Sequence, residues 1–169
     1  MKYIVVLLAV LFACTSASDR SGFESKEYIK FEYLGEHDYP FSALVISTVE
    51  IKKSQVETYE DYGDTLWIEN IVVSKKLYSI VKAEIINLSK REGKVHFDEL
   101  KEEEYKVGFS VDVVEDENIV VSDDIWSYES SKMYFTKLIN GLNKVEGSEL
   151  LREKLNDLYI ERLFKEQMN

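Results

Sequence analysis

Tyr105-Lys106-Val107-Gly108-Phe109-Ser110-Val111-Asp112-Val113 alternates without a break, and this stretch decides how the fold is read. Tyr105, Val107, Phe109, Val111 and Val113 fall on one face of an extended chain; Lys106, Gly108, Ser110 and Asp112 fall on the other. Successive side chains of a strand point to opposite faces, so the pattern predicts a strand apolar on one side and wet on the other. Glu115-Asp116-Glu117-Asn118 follows as a turn, and residues 119–121 read as the return strand.

Working outward, residues 27–34 alternate with Ile29, Phe31 and Tyr33 on one face, and residues 43–51 place Val45, Val49 and Ile51 together. Residues 35–41 (GEHDYPF) join them and carry the only proline, so these two segments read as antiparallel strands. Residues 66–73 give a third strand, and residues 94–97 a short one. Ser74 is placed to cap a helix, because its hydroxyl can accept from the first free amides. Leu77, Ile80, Val81, Ile85 and Leu88 follow at helical spacing over about four turns. Residues 130–142 form a second helix through Met133, Tyr134, Leu138 and Leu142. After a break at Gly147 and Ser148, Leu151, Leu155, Leu158, Ile160, Leu163 and Phe164 line a last helix. The class is α+β: a largely antiparallel sheet with about three helices packed on one face.

One hexapeptide occurs twice, Glu-Asn-Ile-Val-Val-Ser at 69–74 and again at 117–122. Each copy reads as a strand ending ahead of a helix with a similar pentapeptide, at 74–78 and 130–134. Duplication of a strand–helix unit explains this, and so does convergence on strand-end and cap chemistry.

The first residues have a different character. Lys2 and the initiator amine open the chain, residues 3–13 (YIVVLLAVLFA) are an unbroken apolar run, and Thr15, Ser16, Ala17 and Ser18 follow. Charge, apolar run and small residues in that order mark a secretory signal peptide. As a helix the run spans about 16 Å, roughly half a bilayer's hydrocarbon core, which is too short for a stable span. Leu11-Phe12-Ala13-Cys14 resembles the lipobox of bacterial lipoproteins, in which the cysteine is acylated on sulfur and becomes the new N-terminus. Leu11, Ala13 and Cys14 match that pattern; Phe12 stands where a small or aliphatic residue is usual. The resemblance implies a signal peptide at 1–13, a lipidated tether at 14–26 with lipid on Cys14, and an α+β domain at 27–169. It also implies a membrane-anchored protein facing the periplasm or the cell exterior. Cleavage after Ala17 is the alternative; it discards Cys14 and yields a secreted soluble form.

A hydrophobic fraction of 45%, with 12% aromatic, is that of a folded domain rather than a disordered one. Cys14 is the only cysteine, so no intramolecular disulfide can staple the domain. A net charge of −11 argues against nucleic acid, whose phosphates need a basic face, and suits a basic protein partner. The chain lacks a glycine-rich phosphate loop, an HExxH helix and a GxSxG elbow, and no cofactor is expected. Three constellations remain. His96 and Asp98 share a strand face; His37 and Asp38 sit in the proline-bearing loop; Glu57, Glu60, Asp61 and Asp64 surround Gly63 as weak calcium candidates. Tyr59, Tyr62 and Trp67 can offer flat rings to a partner, and His37, in the loop at the end of the first hairpin, is a further candidate binding residue. The expected role is a small extracytoplasmic lipoprotein that binds or supports without catalysis. The alternatives are an acidic inhibitor or immunity-type protein that neutralises a basic enzyme or toxin, and a hydrolase using His37, His96 and nearby carboxylates.

Overall fold

The computed structural model describes residues 27–35, 42–52, 67–92 and 107–167. The signal and tether, Cys14, the loop with His37, the acidic loop with Tyr59 and Tyr62, and the segment with His96 and Asp98 all lie outside these residues.

Five strands form one sheet: β1 (Tyr28–Gly35), β2 (Ser42–Ser47), β3 (Trp67–Val72), β4 (Val107–Glu115) and β5 (Asn118–Trp126). Their order across the sheet is β3-β2-β1-β4-β5. β1 is antiparallel to both neighbours, and β4 is antiparallel to β5; only β2 and β3 run parallel. The sheet is therefore largely antiparallel, and the class is α+β.

The hairpin that anchored the sequence reading forms as expected, with Asp116 and Glu117 at its tip. Both tip residues take positive φ, 50° and 65°, which suits the right-handed twist of the two strands they join. The return strand is longer than its apolar pattern suggested, running to Trp126. Ser122, Asp123 and Asp124 look like a strand end in sequence, yet Asp123 is buried and tied to Arg91. One irregularity between Val113 and Val114 pairs these with Val121 and Ile119, so Val120 is the extra residue. The alternation of residues 43–51 also runs past the strand, which stops at Ser47 and leaves Val49 exposed.

The described residues include three helices: α1 (Lys75–Ser89) between β3 and β4, and α2 (Tyr128–Leu142) and α3 (Glu149–Gln167) after β5. Ser74 caps α1 as expected, its hydroxyl accepting from the Leu77 amide at 3.2 Å. α2 starts earlier than its sequence pattern suggested, and its cap is Ser127, whose hydroxyl accepts from Ser130 N. Ser148 starts α3, where its own hydroxyl donates to the Leu142 carbonyl at 2.8 Å and fixes the turn between the two helices.

The helices share one face of the sheet. Ile29, Phe31 and Tyr33 of β1, Leu44 and Ile46 of β2, and Phe109, Val111 and Val113 of β4 pack there against Leu77, Val81, Ile85, Phe135, Leu138 and Leu155. Phe135 lies at the centre, 4.8 Å from the Phe109 ring, 5.9 Å from Phe31 and 5.6 Å from Tyr159.

The two copies of the hexapeptide do not occupy equivalent places. Residues 69–74 end β3 and lead into α1; residues 117–122 begin β5 after the hairpin turn. Ile71 is buried, whereas Ile119 is exposed. The second copy is a strand start, not a strand ending, although both strands lead into a helix, β3 into α1 and β5 into α2.

Candidate functional site

The expectation of a wet reverse face on the 105–113 strand is overturned. Ser110 and Asp112 are 8% and 6% exposed, and beside them on β1 Lys30 and Glu32 are 6% and 1% exposed. β1 and β4 are interior strands of the sheet, and here alternation reports polarity rather than exposure. The charged side chains tolerate this by pairing among themselves.

Strand geometry assembles the cluster. Lys30 and Glu32 are two apart on β1 and so share the reverse face; Asp112 lies directly opposite Lys30 on β4, and Ser122 directly opposite Asp112 on β5. Lys30 Nζ donates to Glu32 Oε2 at 2.8 Å and stands 3.4 Å from Asp112 Oδ2. Ser122 Oγ donates to the other oxygen, Asp112 Oδ1, at 2.7 Å. Val45 on β2 is the neighbour of Lys30 on its other side, and with Tyr28, Ile51 and Val114 it makes a small apolar cluster. Burial alone pushes the Lys30 ammonium toward its neutral form. Glu32 and then Asp112 outweigh that, so its pKa is held above the ordinary lysine value.

Next to this apolar end, Asn70 ties β3 to the chain beyond β2. Its amide nitrogen donates to Ser47 Oγ at 2.8 Å and to the Val45 carbonyl at 3.3 Å, while its oxygen accepts from Ile51 N at 2.9 Å. These bonds satisfy backbone and hydroxyl groups of a chain segment that leaves the sheet.

A second buried ion pair lies on the helix face. Arg91, just past the end of α1, donates to Asp123 on β5 and to the Leu88 carbonyl at 3.1 Å, and its guanidinium sits 5.2 Å from the centre of the Tyr134 ring. Burial first, and then the Asp123 carboxylate, push the Tyr134 hydroxyl well above its ordinary pKa, partly offset by Arg91. Tyr134 Oη and the neighbouring Ser131 Oγ are buried with no hydrogen-bond partner among the described residues.

Of the residues singled out from sequence, Trp67 is placed: it opens β3, its backbone opposite Ser42. His37, Tyr59, Tyr62, Glu57, Glu60, Asp61, Asp64, His96, Asp98 and Cys14 lie outside the described residues. Among the described residues, no group of three His, Cys, Asp or Glu side chains is placed to hold a metal ion, and no helix is long and apolar enough to cross a membrane. Sequence reasoning missed the Lys30–Glu32–Asp112 cluster. A signal was present, since Lys30-x-Glu32 alternates with three apolar residues; its meaning depended on the register that sets Asp112 opposite Lys30.

Compared with family models, curated proteins and solved structures, the chain matches none of them.

Proposed function

We propose that this chain is exported, held at a membrane surface by lipid on Cys14, and acts there as a non-catalytic binding or structural module. The observation that carries the non-catalytic reading is that the two buried charge clusters among the described residues close on themselves. Lys30 is taken up by Glu32 and Asp112, and Arg91 by Asp123. A catalytic acid, base or nucleophile acts on a substrate within reach, and these groups are turned toward one another. Such internal pairing suits a scaffold that presents its surface to a partner.

The anchor rests on the leader and on Cys14. Each buried methylene contributes about 0.8 kcal/mol, so one fatty chain holds marginally, and a diacylglyceryl group with an amide-linked chain holds durably. The mass of the intact protein from the membrane fraction tests this. A chain beginning at an acylated Cys14 is expected; a chain beginning at Ser18 would replace the anchor with secretion, and Met1 retained in the cytosol would overturn export. For the absence of catalysis, wild type is compared with His37→Ala and His96→Ala in broad hydrolase screening. Activity that either variant abolishes would replace this reading with the hydrolase.

One surface feature supports the acidic-inhibitor reading as well. Ile119 and Val120 are 55% and 49% exposed at the start of β5, beside exposed Asp116 and Glu117. Apolar and acidic groups side by side suit a basic protein partner. Co-purification separates the two readings: a tight basic partner lost on Ile119→Ser/Val120→Ser substitution favours inhibition.

A further inference from the structure

We propose that Lys30 and Asp112 condense to an amide, cross-linking β1 to β4, with Glu32 as the proton carrier and Ser122 as the oxyanion donor. The two residues face each other across one rung of the sheet, with Lys30 Nζ 3.4 Å from Asp112 Oδ2 and 2.8 Å from Glu32 Oε2. All three charged side chains are at least nine-tenths buried.

The donors sort the two oxygens of Asp112. Ser122 Oγ donates to Oδ1, where it can stabilise negative charge as that oxygen becomes an oxyanion. Oδ2 faces the amine and is the leaving oxygen. The step balances without any added reactant. A proton passes from the Lys30 ammonium to Oδ2, giving an amine and a carboxylic acid. The nitrogen lone pair forms the N–Cγ bond, and the carbonyl π pair moves onto Oδ1. Glu32 takes a second proton from nitrogen and delivers it to Oδ2. The pair on Oδ1 returns, the Cγ–Oδ2 bond breaks, and one water leaves; Glu32 ends as it began.

Burial favours this outcome. Charges removed from water carry a desolvation penalty, and condensation eliminates two of the three. The strand hydrogen bonds already hold both residues in place, so little freedom is lost on reaction. The only cysteine precedes the domain, so this amide is a covalent staple open to a chain that has no disulfide. It closes a loop of roughly half the chain, and cross-links over long loops restrict the unfolded ensemble most.

The test is peptide mapping of the full chain purified from its membrane or secreted fraction, unfolded and digested at lysine and arginine. The expected product is a Lys30 peptide joined to an Asp112 peptide, lighter by one water, with no cleavage after Lys30. Asp112→Asn should give the identical linked product by loss of ammonia, which confirms the bond in a variant that keeps the shape of the site. Glu32→Gln should leave both peptides separate, and Ser122→Ala should slow linkage at least several-fold in refolded protein. Separate peptides in the wild type, with the Lys30 amine open to acylation after unfolding, would overturn the proposal. Full linkage in Glu32→Gln would overturn the role given to Glu32.

Discussion

The two faces of the sheet solve the same problem in opposite ways. Toward the helices, β1 and β4 present Ile29, Phe31, Tyr33, Phe109, Val111 and Val113, and cohesion comes from apolar area and ring packing around Phe135. Away from the helices, the same strands present Lys30, Glu32, Ser110 and Asp112, equally withdrawn from water. There, burial removes hydration that only internal pairing restores. The helix face gains from every atom buried, whereas the reverse face gains only while all its partners are present. The first should fail gradually under substitution, and the second abruptly.

The largest expected effect is on the helix face. Phe135→Ala removes the ring at the centre of that packing and should cost about 3–5 kcal/mol, read as a fall in the urea midpoint with unchanged slope. On the reverse face, Lys30→Met leaves Glu32 and Asp112 buried beside each other and, measured against unlinked protein, should cost about 3 kcal/mol. Neither Lys30→Met nor the triple variant Lys30→Met/Glu32→Leu/Asp112→Val can form the cross-link, and of the two the triple variant should be the more stable, because it leaves no buried charge unpaired. If the triple variant is as unstable as the single one, pairing is not what makes this face tolerable.

Gly108 probes the edge of the reverse face, where the Trp126 ring lies over it. An added Cβ would stand 2.6 Å from Trp126 Cε3, so Gly108→Ala must displace the indole. A loss of about 1–3 kcal/mol with a changed tryptophan emission is expected.

The smallest effect carries the opposite sign. Tyr134→Phe deletes a buried hydroxyl that has no partner among the described residues, and should raise stability by about 1 kcal/mol. The same substitution should blunt alkaline unfolding. Burial raises the pKa of Tyr134 and Tyr78 and pushes Tyr159 up to about 12, against 10 in an unfolded chain. Their contribution is complete below pH 10 and is lost above it, as the unfolded chain releases protons that the folded one retains. In chains where Lys30 and Asp112 are not joined, Lys30 is held above its ordinary pKa by Glu32 and Asp112 and acts in the same direction. A stability–pH profile flat through neutrality and falling above about pH 10 checks both signs.

How much of this was legible depended on whether a residue's environment is local. The strand at 105–113, the turn at Asp116 and Glu117, the Ser74 cap and all three helices were readable, because alternation, helical spacing and capping act over a few residues. The length of β5 was not, since Asp123 looks like a stop signal until Arg91, from the far end of α1, neutralises it. Nor was the cap at Ser127, which stands ahead of the apolar spacing of α2. The Lys30–Glu32–Asp112 cluster was half visible: the polar residues showed, and their burial did not.

The order of residues alone determined where the described strands and helices lie, though not all of their ends, the acidic balance of the chain, and the absence of an intramolecular disulfide. Tertiary structure decided the rest: the parallel placement of β3 beside β2, the burial of the charged residues on the sheet's second face, and the meeting of Lys30 with Asp112. Side-chain periodicity is a property of neighbours along the chain, and register is a property of neighbours across it. No local pattern can state which charge will stand opposite which until the strands have docked.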